Sequence, residues 1–271
     1  MDVQPEMNAM PPGSFPRPQP QMLSWLISWW QVMFMGAQIL VLACMPSSYS
    51  RANRHRMARH MVAGTASVLL WFSGLAALLS LVLTRIVVVT AESYGLTQYA
   101  LQVVIRVLVI EIIPLSAALF VALRITLLSA IELAALRRQG ALAQLRAQGQ
   151  DPLVREALPR VLAGMHASIT LAALSCVVAL VLAYVAVYGF HLAALPAYTR
   201  LFGQVFDPSV TLIFVFKTLL FSLTVALMPV ASALVDRMGM ARRPGGDMNM
   251  LARMFVVLLL IELLCLVGNY Y

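Results

Sequence analysis

Charged residues and cysteines are scarce in this chain of 271 residues, and both shortages exclude whole classes of protein. Only 11% of the residues are charged, well below the level that is usual in soluble domains. The three cysteines, Cys44, Cys176 and Cys265, stand at unrelated spacing inside apolar runs, so they predict neither a disulfide framework nor a metal site. The histidines are scattered too and form no cluster with ligand spacing.

The sequence also lacks the motifs of nucleophilic catalysis and nucleotide binding. It has no serine nucleophile elbow, and its one lysine, Lys217, follows Phe216 where a phosphate-binding loop needs glycine. We therefore expect no catalytic residue, no cofactor and no metal. If ATP drives this protein, another chain supplies the hydrolysis.

Long apolar runs are what the sequence has instead. Hydrophobic residues make up 61% of the chain and gather into runs long enough to cross a bilayer as helices. The sequence therefore predicts an all-α polytopic membrane protein with about five transmembrane helices plus an N-terminal interfacial helix. The five runs cover 62–84, 99–131, 161–190, 209–234 and 254–271, and a further apolar stretch covers 22–45.

Basic residues cluster in three of the segments between the runs. Four arginines lie in 51–60, five in 136–160 and four in 236–253. By the positive-inside rule these segments are cytoplasmic, whereas 85–98 and 191–208 lie on the far side. The net charge of +8 is accounted for by this topology, and without a soluble domain to form a groove we expect no nucleic-acid partner. The arginines are Arg51, Arg54, Arg56, Arg59, Arg137, Arg138, Arg146, Arg155, Arg160, Arg237, Arg242, Arg243 and Arg253.

The N-terminal part has two segments. Residues 1–21 are rich in proline and are predicted to be a disordered tail. Residues 22–45 form a helix that either lies in the membrane interface or spans the membrane. Trp25, Trp29 and Trp30 fall within a turn and a half, and tryptophan prefers the headgroup level. This pattern favours the interfacial helix.

Four ionisable residues stand inside the apolar runs, namely Glu111, Arg124, Lys217 and Glu262. Facing lipid at mid-depth they would together cost on the order of 10 kcal/mol, so we expect them to face the protein interior. We predict that they belong to a substrate path or a gating network. Internal ion pairs that lock helices, or snorkelling from helix ends, remain as alternatives, above all for Arg106 and Arg124.

Lys217 is of special interest because the chain otherwise uses arginine as its cation. A lone lysine inside the fourth run suggests that a compact point charge is needed, within reach of a phosphate or of a buried carboxylate such as Glu111 or Glu262. The alternative is that Lys217 snorkels outward and only anchors its helix.

The second run is too long for one straight crossing. Residues 99–135 as a single helix would measure about 55 Å, against about 30 Å of hydrocarbon. Pro114 removes a backbone donor, so a kink is expected there, and the end around Glu132 should project into the cytoplasm. Residues 136–160 then form a loop that a soluble partner can reach.

Within this loop, local signals predict a short helix and the start of the next one. Gly140 and Gly149 bracket a helix-compatible run over 141–148. Asp151 can cap the following helix, with Pro152 at its first position.

These residues, taken in order, resemble the core of the MlaE/YrbE permeases. That family carries E-x-G-P, G-R-x-G, Glu-Leu-Gly, x-D-P and P-R-x-x-A-G, and the matching residues follow in the same order without a gap. Further on, the segments around Lys217 and Glu262 resemble the family's I-K-S-x-x-F segment and the acidic residue of its last helix. The matches are Glu111-x-x-Pro114, Arg124, Glu132-Leu133, Asp151-Pro152, Pro159-Arg160-Val161-Leu162-Ala163-Gly164, Phe216-Lys217-Thr218-Leu219-Leu220-Phe221 and Leu260-Ile261-Glu262-Leu263-Leu264.

The chain departs from the family pattern at several positions. The family's arginine before the first glutamate is Ile110 here, and glycines of its motifs are replaced by Leu123 and Ala134, and by Ile125 or Thr126. Small residues let membrane helices pack closely, so this chain resembles a divergent member.

The resemblance implies that residues 46–271 form the permease domain of an ABC-type transporter in the bacterial inner (cytoplasmic) membrane. The implied partners are a cytoplasmic ABC ATPase, an MCE-domain substrate-binding protein, a second copy of the chain, and phospholipid or another hydrophobic molecule as cargo. The loop 136–160, together with the end of the helix that precedes it, would couple the chain to the ATPase. The candidate coupling residues are Glu132, Arg137, Arg138, Leu142, Leu145, Arg146, Asp151 and Pro152.

Two other functions stay open. An ion-coupled secondary transporter would also use buried charges, although it usually shows inverted repeats, and none is found here. A non-transporting membrane scaffold would explain the arginine-rich loops but not the charges inside three runs.

Overall fold

The structure, a computed structural model, describes residues 21–45, 51–235 and 246–270. Helices dominate these ranges, and no strand occurs in them. Five helices in the described ranges are long and apolar enough to cross a membrane, and the shorter apolar helix Trp29–Cys44 precedes them. The predicted all-α fold is therefore confirmed. The five spans are Gly64–Ser93, Tyr99–Arg138, Leu153–Tyr188, Pro208–Val235 and Met250–Asn269.

Two parts of the sequence prediction lie outside the described residues. One is the proline-rich tail, apart from Gln21, which begins the first helix. The other is the segment 236–245, which holds three of the clustered arginines.

The helices follow one another with short connections. Four spans contain a single long α-helix each, while the second span is divided into α3, α4 and α5 by two π-helical segments. The α-helices are α1 (Gln21–Cys44), α2 (Arg51–Ser93), α3 (Thr97–Val104), α4 (Ile113–Val121), α5 (Leu127–Arg138), α6 (Ala141–Ala147), α7 (Leu158–Tyr188), α8 (Leu195–Val205), α9 (Pro208–Val235) and α10 (Gly246–Tyr270).

The second span combines α-helix with π-helix, and its one proline follows the first π segment. The backbone is π-helical over Ile105–Ile112 and again over Ala122–Thr126. Pro114, which cannot donate a backbone hydrogen bond, stands at the start of α4, directly after the first π segment. The irregularity predicted at Pro114 is therefore a change of helix type that begins nine residues earlier. At 40 residues the span exceeds a membrane crossing, as expected.

Small residues bring α2 and α7 together along most of their length. On α2 the buried positions recur every three or four residues, and several of them are small, among them Ala76 and Ser80. On α7 several buried residues are also small, among them Ala172 and Ala179. Close packing of small residues is how membrane helices gain contact without a hydrophobic driving force.

Helix α9 lies at the centre of the bundle and positions the candidate site. It contacts α1, α4, α5, α7 and α10, and its second half is buried almost continuously from Phe221 to Ala231. Helix α10 packs mainly on α9 and leaves much of its surface exposed. A side chain that points from α9 toward α10 or the second span therefore enters the interior of the bundle.

Candidate functional site

A buried lysine joins three of the five spans. Lys217 lies on α9 with only 1% of its side chain exposed. Its Nζ donates a hydrogen bond to Oε2 of Glu111 on the second span. It also donates to Oε1 of Glu262 on α10, with a donor–acceptor distance of 2.9 Å. The three side chains form a cluster that we call the lysine cluster.

The two carboxylates are held by different kinds of backbone. Glu111 belongs to the π-helical segment Ile105–Ile112, and π segments inside helices are frequent at functional sites. Glu262 stands in regular helix, eight residues from the end of α10. Both are partly exposed, at 14% and 18% of their side chains. The ammonium of the cluster is therefore fully buried, whereas both carboxylates are partly exposed.

The charge balance of the lysine cluster decides what it can do. Burying the Lys217 ammonium without partners would cost several kcal/mol, and the two carboxylates offset that cost. The Phe221 ring adds a cation–π contact, with Nζ 5.7 Å from the ring centroid. Since the ammonium already has two carboxylate partners, a lipid phosphate would have to displace one of them in order to bind. The outward-snorkelling alternative for Lys217 does not hold in this structure.

Arg124 is not part of this cluster. It is exposed on the second π-helical segment, and no ion pair is found for it among the described residues. Of the four residues predicted for the path or gating network, the structure thus brings three together and leaves Arg124 on the surface of the bundle. The predicted role of all four stays a prediction. In the described ranges no group of His, Cys, Asp or Glu residues could hold a metal ion.

The loop between the second and third spans has the shape that its sequence predicts. Helix α6 runs from Ala141 to Ala147, one residue shorter than expected. Gly140 and Gly149 flank it with φ values of +76° and +72°, a left-handed conformation that favours glycine. After the second glycine, Oδ1 of Asp151 accepts a hydrogen bond from the Leu153 amide at 2.9 Å, and Pro152 occupies the first helical position.

The candidate coupling residues of this loop divide by exposure. Glu132, Arg138, Arg146 and Asp151 are exposed, whereas Leu142 and Leu145 are half-buried and Pro152 is buried. Leu142 packs on a buried cluster that includes Leu133 and Leu158. The polar members are therefore available to a partner, and the apolar members hold the loop against the bundle.

Arg137 is the exception among these residues because it points back into the protein. Its Nη1 donates hydrogen bonds to the carbonyl oxygens of Leu234 and, at 3.3 Å, of Ala233. These carbonyls belong to α9, one and two residues before Val235, the last residue described for that helix. Sequence analysis missed this contact, and no local signal could have indicated it.

Sequence analysis also missed a close helix crossing at Gly164. A Cβ atom placed there would meet Cγ2 of Thr126 at 2.7 Å and Cβ of Ala226 at 3.3 Å. Glycine is thus required where α7 passes the second π-helical segment and α9. The position falls in the motif Pro159-Arg160-Val161-Leu162-Ala163-Gly164, which was the available signal.

At the opposite end of the bundle, three tyrosines fix the short helix α8. Tyr198 donates a hydrogen bond to the Leu180 carbonyl at 2.9 Å, and its ring meets those of Tyr184 and Tyr188 edge-on. Burial raises the pKa of Tyr198 to about 12, with a smaller contribution from Tyr188. Helix α8 is therefore a fixed element, with its tyrosine neutral at physiological pH.

These features define a polytopic helical membrane protein with a charge cluster inside the bundle and a structured loop at its basic end. The sequence model of the family described as Permease MlaE matches residues 57–267. This chain belongs to that family, and it is a multi-pass membrane permease. A search of curated proteins finds no match to the chain.

Proposed function

We propose that this chain is the transmembrane subunit of an ATP-driven transporter that moves phospholipid or other hydrophobic molecules across or between envelope membranes. Family membership supports a permease, and five apolar spans support a membrane location. The lysine cluster is the observation that carries the mechanism, because one ammonium on α9 bridges carboxylates on two other spans.

The lysine cluster would act as a lock between spans. While Lys217 contacts both Glu111 and Glu262, the second span, α9 and α10 are held together at that level. Opening a cavity for a lipid requires some of these contacts to separate, which is costly inside a bilayer unless another partner replaces them. ATP-driven movement would supply that energy, and a cavity between two copies of the chain would then accept the acyl tails.

The loop 136–160 would receive the ATPase at the cytoplasmic face. The exposed loop residues Arg138, Arg146 and Asp151, together with Glu132 on α5, would supply polar contacts. The left-handed glycines that flank α6 fix its orientation. An MCE-domain protein would bind at the opposite face. In this proposal the protein lies in the bacterial inner membrane, and residues 46–271 form its permease domain.

Helix α1 would lie along the cytoplasmic membrane surface. Near its N-terminus, the Arg253 guanidinium lies 6.0 Å from the Trp29 ring, and Arg253 belongs to the first turns of α10. Toward its C-terminus, Ile39 is buried in the same cluster as Leu133 and Leu158, beside the loop. Two contacts at the same end of the bundle favour an interfacial helix over a spanning one, with residues 1–21 as a tail.

The test is purification of the tagged chain from its native membrane, followed by reconstitution into proteoliposomes. We expect an ABC ATPase to co-purify, and transfer of fluorescent phospholipid to require ATP hydrolysis. An ion-coupled transporter would instead respond to a proton or sodium gradient without ATP. A chain that co-purifies with no ATPase and moves no lipid under either condition would act as a scaffold, which would refute the proposal.

A further inference from the structure

Arg137 occupies a position unlike that of any other basic residue described near the loop. Arg138 and Arg146 are exposed, and Arg138 bonds only within its own helix, to the Ala134 carbonyl at 3.2 Å. Arg160 pairs with Glu156 four residues before it on the same helix. Arg137 alone in this group bonds to a different span, at the carbonyls of Ala233 and Leu234.

The contact is chemically specific. A guanidinium can donate to two backbone carbonyl groups at once, and such charge-assisted hydrogen bonds are stronger than neutral ones. One turn before Arg137, the fully buried Leu133 packs in the same cluster as Leu227 and Val230 of α9. Helices α5 and α9 are thus joined by an apolar contact and by hydrogen bonds from a charged side chain.

This junction links the loop to the lysine cluster through α5 and α9, with Pro229 inside α9 between the two sites. Helix α6 begins three residues after α5 ends and packs against it. On the other side, Lys217 lies 17 residues before Leu234 on the same helix, a distance of about 25 Å along its axis. A displacement of α6 that moves α5 therefore also pulls on the end of α9.

We propose that Arg137 is a positioning residue that transmits movement of the loop 136–160 to α9, and thereby to the Lys217 contacts, and that it makes no direct contact with the ATPase. This rests on the proposed function and revises the expectation that Arg137 belongs to the docking surface. Arg146 and Arg138 keep the outward position that docking requires.

The test compares Arg137→Ala with Arg138→Ala in the complete transporter complex, in proteoliposomes. Arg137→Ala should retain ATPase association and ATP hydrolysis. The amount of lipid moved per ATP should fall about tenfold, because the charge-assisted hydrogen bonds between α5 and α9 are lost. Arg137→Lys should recover part of the loss because an ammonium still donates to the carbonyls. Arg138→Ala, on the proposed docking surface, should weaken ATPase association but leave the amount of lipid moved per ATP at the wild-type value.

A second readout reports the transmission itself. Spin labels on cysteines at Gln144 of α6 and Leu219 of α9, both exposed positions, should change their separation when ATP binds, in a background without native cysteines. In Arg137→Ala this change should disappear while hydrolysis continues. A purely structural role of Arg137 would lower the yield or thermal stability of the complex but leave the change intact.

Several outcomes would overturn the inference. Wild-type lipid transfer per ATP in Arg137→Ala would show that the Arg137 contact does not transmit movement to α9. Loss of ATPase association would show that Arg137 is a docking residue. If Arg137→Ala does not fold, Arg137→Lys is the variant to measure. Unchanged lipid transfer per ATP in Arg137→Lys would contradict transmission through the two guanidinium hydrogen bonds. Failure of the wild-type complex to move lipid with ATP would instead refute the proposed function, before any variant is compared.

Discussion

The lysine cluster and the loop 136–160 use charge in opposite ways. In the cluster, Lys217 is 1% exposed and bridges carboxylates from two other spans. In the loop, Arg138, Arg146 and Asp151 are exposed and make no ion pair with another span among the described residues. Buried charges are costly unless paired, whereas exposed ones cost little. The comparison teaches that charge holds spans together in the lysine cluster, whereas among the described charges of the loop only Arg137 bonds to another span and the exposed charges are free to meet a partner.

The largest effect is expected from removing the central cation. Lys217→Ala leaves two carboxylates without a cation inside the bundle, which should lower the free energy of unfolding by ~3–5 kcal/mol. The thermal unfolding of purified protein in detergent measures this. Arg85→Ala, at an exposed position on α2, is the matched control and should shift the unfolding temperature little. Equal shifts for both variants would show that Lys217 is not a structural lock.

Neutralising the whole cluster separates stability from function. The triple variant Lys217→Met, Glu111→Gln, Glu262→Gln contains no unpaired ion, so it should regain most of the stability that Lys217→Ala loses. Its lipid transfer should nevertheless stay low, because the contacts that must open and close are gone. Recovery of both stability and transfer would mean that the cluster serves the fold alone.

A smaller effect is expected when one carboxylate becomes an amide. Glu262→Gln keeps a carbonyl oxygen that can accept from Nζ, and the ammonium retains Glu111 as counter-ion. The stability loss should be about 1–3 kcal/mol, less than for Lys217→Ala. Thermal unfolding of the two variants side by side tests this order, and a larger loss for Glu262→Gln would contradict the assigned geometry.

A charge change in the loop should affect ATPase association and leave the stability nearly unchanged, unlike a change in the lysine cluster. Arg146→Glu reverses an exposed charge on α6, so stability should change by no more than about 0.5 kcal/mol, while association with the ATPase weakens. Pull-down of the ATPase together with thermal unfolding checks both parts. A destabilised variant that still binds the ATPase normally would remove the distinction between the two regions.

The orientation of the chain in the membrane can be tested with exposed single cysteines, which should not change the stability. A cysteine at Ser93 or Thr199, both exposed, should react with an impermeant reagent added to intact cells, and one at Gln148 should not. Thr199 suits this purpose better than the neighbouring Tyr198, which is buried and hydrogen-bonded. Reaction at Gln148 from outside would invert the orientation and with it the docking assignment.

Local features of the structure could be predicted from the sequence, whereas only some of the long-range contacts could. The spans follow from apolar runs, α6 follows from Gly140 and Gly149, and the start of the third span follows from Asp151-Pro152, because each signal acts within a few residues. The sequence indicates Glu111 and Glu262 as possible partners of Lys217, 106 and 45 positions away, because a buried ammonium needs a counter-ion. It gives no sign of the Arg137 contact, which joins residues 97 positions apart. Such partners depend on how the helices pack, which periodicity does not specify.

The central claim is that the Lys217 contacts must open and close during transport. ATP-dependent transfer of fluorescent phospholipid by the reconstituted complex tests it, with ATP hydrolysis measured in the same vesicles for Lys217→Ala and Lys217→Arg. The account predicts that Lys217→Ala hydrolyses ATP without transferring lipid, and that Lys217→Arg transfers it partly, because the larger guanidinium fits the site less well. Wild-type transfer by Lys217→Ala would contradict the claim.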